Sequence, residues 1–196
     1  MREGQDDQSS PDKRVAQWLA DAARGDEQAW TRLVEEFSPR VFGLLQSQCR
    51  DGDLAEELTQ SVFATMAEKL ASYSERGQFE AWIFRVAINR LRDEMRRRTR
   101  HAKPTAQEKL AEIGDPNGGA GAYRTLDPDQ VTDLEWAIDE LSRSDREIID
   151  LRHTAGLSFK QISNLLDEPV GTLLARHHRA LARLRESIER QRKGKP

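Results

Sequence analysis

The sequence has very little cysteine and no long apolar run. Cys49 is the only cysteine among 196 residues, which excludes an internal disulfide and a zinc site built on several cysteines. No apolar run approaches the roughly 18 residues that a membrane-spanning helix needs. The polar, acidic start MREGQDDQSSPDK does not resemble a secretory signal. We therefore expect a cytoplasmic protein with no membrane insertion, in which residues 1–13 form a disordered tail.

The sequence also lacks the usual signatures of catalysis. It contains no glycine-rich phosphate loop, no metal-ligand spacing and no nucleophile paired with a base. Adjacent carboxylates such as Glu56 and Glu57 point in different directions on a helix. Adjacent His177 and His178 cannot both face one metal ion. A helical enzyme, such as a hydrolase, is thus the least favoured class, and no cofactor or metal is expected.

The charges are strongly segregated, although the net charge is only -3. Residues 76–103 carry 9 basic and 3 acidic side chains, and residues 171–196 carry 8 and 2. The intervening regions are acidic, with a net charge of -7 over residues 1–75 and -8 over residues 104–170. Binding to a polyanion depends on local neutralisation of phosphates and not on the overall charge. Two compact basic segments therefore favour a nucleic-acid partner.

Glycine and proline are concentrated between the two halves of the chain. The stretch GDPNGGAG falls within residues 104–126, where it predicts a flexible linker. Neither side of it shows the alternation or hairpin signals of β-strands. We expect an all-α protein with two small helical domains, at residues 14–103 and 127–196.

Four amphipathic stretches predict the helices of the first domain. The second stretch is expected to break near Pro39, and Asp53 with Glu56 has the spacing of a capping box that would open the third. The fourth, QFEAWIFRVAINRLRDEMRRRTR, has one apolar face. On its other face four polar residues recur at steps of four, three and four, which predicts a solvent-exposed cationic stripe. This stripe consists of Arg85, Asn89, Arg92 and Arg96.

Helix-start signals divide the second domain into four helices as well. The signals are Asp127 before Pro128, Ser144 with Glu147, Ser158 with Gln161, and Pro169. The last two helices, joined by a tight turn, have the pattern of a helix-turn-helix. The apolar side of the final helix is predicted from Leu173, His177, Ala180, Leu181, Leu184 and Ile188.

The final helix would present its polar side to DNA. Its first turn would lie nearest the bases of a major groove, and its arginines would reach phosphates or guanine edges from the side away from the apolar residues. The first-turn candidates are Gly171, Thr172, Leu174 and Ala175, and the arginines are Arg176, Arg179 and Arg183.

Four segments, in this order, resemble the bacterial RNA polymerase sigma factors of the extracytoplasmic-function (ECF) type. They are GDEQAWTRLVEEF, AEELTQSVFATM, FEAWIFRVAINRLRDEMRRR and GLSFKQISNLLDEPVGT followed by ARHHRALARLR. The resemblance covers about residues 14–103 and 127–190. It implies two helical domains, regions two and four, that bind core RNA polymerase and promoter DNA without catalysis.

The resemblance also implies roles for individual residues. The polymerase clamp would be contacted by Glu56, Glu57, Leu58, Gln60 and Phe63. A base flipped out of the minus-ten element would enter the loop Tyr73–Gln78, which includes Tyr73, Ser74 and Arg76. Asn89 matches a position that contacts the melted strand, whose phosphates would be held by Arg85, Arg92, Arg96 and Arg97. The helix-turn-helix would read the minus-thirty-five element.

Leu174 and Ala175 depart from the family pattern, which usually has a basic residue and a serine there. Apolar side chains can meet thymine methyl groups, so this difference predicts an altered sequence preference. An anti-sigma protein, which often holds members of this family inactive, is a further candidate partner. A stand-alone helix-turn-helix regulator of duplex DNA is the alternative, although it leaves the basic stripe of the first domain unexplained.

Overall fold

The computed structural model describes residues 11–70, 73, 78–101 and 128–194, without the side chains of residues 11, 12, 101, 128–130 and 194. The predicted linker, residues 104–126, lies outside these ranges. So does most of the predicted tail, but its last residues belong to a helix that begins at Pro11. Proline is favoured at the first position of a helix because its missing N–H would have no partner there.

The described residues form helices and no strand, which confirms the all-α class. The first domain contains α1 (Pro11–Ala23), α2 (Glu27–Cys49), α3 (Gly52–Leu70) and α4 (Phe79–His101). The second contains α5 (Pro128–Asp139), α6 (Arg143–Ile149), a π-helix (Asp150–Thr154), α7 (Phe159–Leu166) and α8 (Val170–Gly194). None of the helices in the described ranges has the length and hydropathy of a membrane span.

Helix α2 runs without interruption through Pro39, so the predicted break is wrong. Proline cannot donate the backbone hydrogen bond of its turn, which weakens a helix. Phe37 and Val41, on either side of it, are both fully buried. The packing of these side chains outweighs the lost hydrogen bond and keeps the two parts of α2 in one helix.

Two helices begin before the residues that the sequence predicts. Asp51 caps α3 in place of Asp53, and Ser142 caps α6 in place of Ser144. In each case a side-chain oxygen accepts the backbone N–H three residues later, at 3.0 Å for Asp51 and 3.2 Å for Ser142. Aspartate and serine are good caps at either position, so the sequence signal alone does not choose between two candidates in one turn.

The predicted capping box at the start of α7 is confirmed. Gln161 N donates to Ser158 Oγ at 3.2 Å, and Ser158 N donates to Gln161 Oε1 at 2.7 Å. At the other end of α7, Asp167 adopts a left-handed conformation with φ 57°. This residue makes the tight turn into α8 and completes the helix-turn-helix.

The two domains share one hydrophobic core. The fully buried Phe37 and Phe84 of the first domain belong to the same cluster of buried side chains as Leu151, Ile162 and Leu173 of the second. A smaller cluster lies within the second domain and consists of Ala137, Leu141, Ile149, Ala180 and Leu184, with Ile138 and Ile188 packed against it.

Arg40 of α2 joins the two domains through polar contacts. Its guanidinium donates to the carbonyl oxygen of Ala155 and, at 3.1 Å, to Glu80 Oε1. It also lies 5.1 Å from the ring centroid of Phe37 and 5.4 Å from that of Phe84. Arginine suits this position because its planar group donates in its own plane and stacks on aromatic faces.

The π-helix brings a carboxylate to the first domain. Asp150, only 3% exposed, accepts hydrogen bonds from Ser47 Oγ at 2.8 Å and Gln48 Nε2 at 2.6 Å. Burial raises the pKa of this carboxyl to about 6, against the lowering effect of the two hydrogen bonds. Helical periodicity does not distinguish a π-helix from an α-helix, so this element was not predicted. Gly156, at φ +72°, follows this π-helix.

Candidate nucleic-acid interface

Helix α4 carries its apolar and cationic residues on opposite sides, as predicted. Arg85, Asn89, Arg92 and Arg96 are all exposed. The opposite side packs into the core through Phe79, Ile83, Ala87 and Leu91, with Trp82 and Val86 half-buried. The helix therefore presents a basic row to its surroundings while its other side holds the first domain together.

Two arginines of this exposed row also contact the second domain, which the sequence did not predict. Arg85 Nη2 donates to the carbonyl oxygen of Asn164 at 2.5 Å, and Arg92 Nη2 donates to Glu147 Oε1 at 3.1 Å. Asn164 lies in α7 and Glu147 in α6. Two of the three arginines in the row are thus bound to the second domain.

The arginines at the end of α4 pair with acidic residues of the same helix. Arg96 lies 3.6 Å from Asp93, and Arg97 makes bonds of 2.6 and 2.8 Å to Glu94. Arg98 contacts Glu94 as well, at 3.0 Å. Hydrogen bonds from Arg97 and Arg98 lower the pKa of Glu94 to about 2. Glu94 therefore stays ionised near neutral pH and offsets part of the cationic charge.

An aromatic cluster lies where the loop between α3 and α4 meets the first turn of α4. Tyr73 is half-buried, and its ring centroid lies 5.7 Å from that of Phe79 and 5.3 Å from that of Trp82. Ser74 and Arg76, the other predicted contacts in this loop, lie outside the described residues. Tyr73 therefore packs against the core and is only partly exposed.

The start of α8 is accessible, as the sequence predicts. Gly171, Thr172 and Ala175 are exposed, and Leu174 is 37% exposed. The core side of α8 also follows the prediction at Leu173, Ala180 and Leu184. Leu181 is the exception, since it is 40% exposed and not part of the core. It falls at the margin of the apolar face, where periodicity alone does not determine burial.

The three predicted arginines of α8 differ in their surroundings. Arg176 makes bonds of 3.0 and 2.5 Å to Glu168 and is 19% exposed, whereas Arg183 pairs with Asp145. Arg179 is exposed and has no carboxylate partner within the described part of the chain. Within this face, Arg179 is therefore the arginine most available to a phosphate.

Two known family models match this chain, one in each domain. Residues 33–101 match the model of Sigma-70 region 2, and residues 137–186 match that of Sigma-70, region 4. The chain is 30% identical over 164 residues to the RNA polymerase sigma factor CarQ of Myxococcus xanthus, covering 84% of this chain and 91% of that protein. This chain belongs to the RNA polymerase sigma factors of the ECF type.

Another relative and two solved structures are also similar to this chain. The ECF RNA polymerase sigma factor SigE of Mycolicibacterium smegmatis is 30% identical over 178 residues, which span 85% of this chain and 65% of that protein. The sigma factor RpoE of Bartonella quintana, in complex with the anti-sigma factor NepR, has a TM-score of 0.63 and 25% identity, covering 81% of this chain and 96% of RpoE. CnrH, in complex with the cytosolic domain of CnrY, shares the fold at 20% identity, with a TM-score of 0.61 and coverage of 91% and 97%.

In this sigma factor His177 is buried on the core side of α8, as the sequence predicts. The imidazole is 9% exposed, with Nε2 3.0 Å from His153 Nε2 and its ring edge-on to Phe159. Burial, followed by the charge of His153, lowers the pKa of His177. The described residues contain no cluster of three or more groups able to hold a metal ion. The histidine therefore packs inside the region-4 domain.

The polymerase-contact residues implied by the resemblance lie on α3 and are only partly accessible. Glu56, Glu57 and Gln60 are exposed and Phe63 is half-buried. Leu58 is 7% exposed and packs in the core. A partner on this surface would therefore not reach Leu58, which instead supports the helix from inside.

The exposed residues of α3 border an open groove against α2 that sequence reasoning did not identify. It has a volume of about 620 Å³. Its floor includes apolar side chains of α2. Helical periodicity indicates which face of one helix is apolar, but not which two helices form a groove. The residues that line the groove are Val34, Glu35, Ser38, Pro39, Phe42, Glu56, Thr59 and Gln60.

Proposed function

We propose that this sigma factor is a non-catalytic promoter-specificity subunit that binds core RNA polymerase, recognises two promoter elements and helps to open the DNA between them. The observation that carries this proposal is the presence of both sigma regions in one chain, each with a basic helix whose outer side is exposed. A regulator that bound duplex DNA through its helix-turn-helix alone would not need the basic row of α4.

The first domain would act on the opened strand. Asn89 is exposed between Arg85 and Arg92 on α4, so its amide can bond to an unpaired base while the arginines hold the adjacent phosphates. Removing a base from the stack costs a few kcal/mol, which these contacts must offset. Tyr73, half-buried near the start of α4, offers an aromatic surface to such a base.

The second domain would bind the upstream element as a duplex. The first turn of α8 carries two exposed residues with small or no side chains, Gly171 and Thr172, and can enter a major groove. Leu174 would meet a thymine methyl group and Arg179 a phosphate. This arrangement predicts an upstream sequence with a thymine where many relatives would read a hydrogen-bonding edge.

Core polymerase would dock on the surface of α3 and the adjoining groove. Glu56 and Gln60 lie on the edge of that groove and are exposed. Exposed carboxylates beside an apolar floor suit a partner that brings basic and apolar side chains together. An anti-sigma factor is a second expected partner, supported by the RpoE complex with NepR.

Run-off transcription with core polymerase tests the proposed function. Core polymerase plus this protein should produce transcripts from a cognate promoter among genomic fragments, and core polymerase alone should not. A pull-down with core polymerase should retain the protein. If the protein binds duplex DNA tightly by itself and is not retained by core polymerase, the stand-alone regulator is correct instead.

Replacing Asn89 with alanine should impair promoter opening without weakening core binding. We expect a three- to tenfold loss in the rate of opening, about the size of one lost hydrogen bond. Permanganate reactivity of thymines measures opening, and a core-binding titration measures affinity. Thr99→Ala, an exposed change on the same helix, is the matched control. Equal loss of opening and core affinity would show that Asn89 has a structural role.

Replacing Arg179 with alanine should weaken binding of the upstream element and reduce its dependence on salt. One lost phosphate contact lowers the slope of log affinity against log salt by about one. Fluorescence anisotropy of the holoenzyme on promoter DNA measures this slope. Arg192→Ala is the control, since this exposed residue lies 13 positions further along α8. An unchanged slope in Arg179→Ala would exclude a phosphate contact.

A further inference from the structure

We propose that Glu168 limits the affinity of the helix-turn-helix for DNA, because its carboxylate holds the guanidinium of Arg176 away from the phosphates of the upstream element. The inference rests on the proposed contact of α8 with the upstream duplex. It goes beyond that function because it assigns the strength and the lifetime of the contact to an acidic residue.

Arg176 lies on the side of α8 that the proposed function turns towards DNA. It follows Thr172 by four residues and precedes Arg179 by three, and residues at these spacings are neighbours on a helix surface. Thr172 and Arg179 are both exposed, whereas the side chain of Arg176 is only 19% exposed. The position of Arg176 therefore predicts a phosphate contact that the fold withholds.

The carboxylate of Glu168 takes the donors that a phosphate would need. Arg176 Nη1 donates to Glu168 Oε1 at 3.0 Å, and Arg176 Nη2 donates to Glu168 Oε2 at 2.5 Å. Arginine binds carboxylates and phosphates through the same pair of parallel hydrogen bonds. Glu168 therefore occupies the outer edge of the guanidinium and neutralises its charge.

The turn between α7 and α8 fixes the backbone of Glu168. Glu168 N donates to the carbonyl oxygen of Ser163 at 3.3 Å, and Ser163 Oγ donates to the carbonyl oxygen of Glu168 at 2.6 Å. Asp167, which precedes it, has the left-handed conformation of the turn. Ion pairs between two mobile, exposed side chains contribute little, because ordering them costs entropy. This pair is held more firmly, since one partner has a fixed backbone and the other is mostly covered.

The other carboxylates near Arg176 already have arginine partners. The charges of Asp145 and Glu147 both act on Arg176, but Asp145 pairs with Arg183 and Glu147 pairs with Arg92. If Arg176 lost its present partner, it would therefore keep an uncompensated positive charge on the DNA side of α8.

Arg183 differs from Arg176 in a way that singles out Glu168. Arg183 pairs with Asp145, but its side chain is still 58% exposed. Part of its guanidinium can therefore reach a phosphate while the pair stays intact. Arg176 combines pairing with low exposure, so Glu168 is the carboxylate whose removal should change the number of phosphate contacts.

Glu168→Gln is the probe for this role, because glutamine keeps the size of the side chain and removes its charge. The full chain is titrated with a short fluorescent DNA duplex of arbitrary sequence at several salt concentrations. One added phosphate contact should steepen the slope of log affinity against log salt by about one and tighten binding at least about threefold. Dissociation should become slower to a similar extent, since affinity changes within one interface lie mostly in the off-rate.

Glu189→Gln is the matched control. This exposed glutamate of α8 lies 13 positions beyond Arg176, which is about 20 Å along the helix. Its replacement changes the net charge by the same amount and should leave the slope as in wild type. The double variant Glu168→Gln with Arg176→Ala should also return to the wild-type slope, because the added contact requires the guanidinium. Circular dichroism checks that each variant keeps its helices.

The outcomes separate this inference from the proposed function. An unchanged slope in Glu168→Gln would overturn the inference, and so would a shallower one, which would mean that Glu168 presents Arg176 to DNA. A steeper slope that persists in the double variant would overturn it as well. Absence of run-off transcription from wild type would remove the proposed function, while the duplex titration would still decide the role of Glu168. A steeper slope, slower dissociation and reversal by Arg176→Ala together would establish the inference.

Discussion

Replacing Phe37 with alanine is expected to lower the free energy of unfolding by about 3–5 kcal/mol. Phe37 is fully buried in the shared core, with its ring edge-on to Phe79 at 5.1 Å and beneath the guanidinium of Arg40. The change removes the apolar surface, leaves a cavity and breaks both ring contacts. A loss of this size is a large part of the stability of a typical small protein.

Urea unfolding followed by far-ultraviolet circular dichroism measures this loss. Phe37→Leu is the matched control, because it keeps most of the apolar volume and should cost about 1–2 kcal/mol. A loss below about 1 kcal/mol in Phe37→Ala would mean that the ring is not enclosed as described. Because Phe37 lies in the core that both domains share, the transition should shift as a whole.

Replacing Asp150 with asparagine is expected to remove a pH dependence of stability worth about 3 kcal/mol. Burial raises the pKa of Asp150 in the folded chain from its ordinary value of 3.8 to about 6. The folded chain therefore binds this proton more tightly than the unfolded chain does. The contribution of Asp150 to stability is full below about pH 4 and is lost as the pH rises through about 6.

The measurement compares wild type and Asp150→Asn across this pH range. Glu94, whose pKa is lowered from 4.5 to about 2, contributes in the opposite direction and mainly below this range, because its stabilisation is lost as the pH falls. The difference between the two proteins isolates Asp150, because the other groups are common to both. Wild type should lose stability relative to Asp150→Asn between about pH 4 and 6. A constant difference would show that the carboxyl is solvated in the folded chain.

Local patterns in the sequence predicted the features that depend on neighbouring residues. The step of four, three and four placed Asn89 and its arginines on the outer side of α4, and the Ser158 and Gln161 pair located the start of α7. Both signals depend on contacts within one or two helical turns. Asp51 and Asp53 are both acceptable helix caps, so these patterns placed the cap of α3 two residues too late.

Features that depend on distant residues were not predictable in this way. Arg85 and Asn164 are 79 residues apart in sequence, and nothing in the periodicity of either helix indicates the other. For the same reason the sequence, which predicted two domains joined by a linker, did not indicate that Leu173 of α8 is buried in one core with Phe37 of α2. The continuity of α2 through Pro39 was not predictable either, because it depends on the burial of side chains on both sides of Pro39.

The shared core has a consequence for biosynthesis. Ribosomes make a chain from its N-terminus, and early segments begin to fold before later ones exist. Part of the apolar surface of the first four helices remains uncovered until the segment up to Leu173 has been made. Nascent chains of this protein therefore expose apolar surface during most of translation. We expect a ribosome-associated chaperone to bind them.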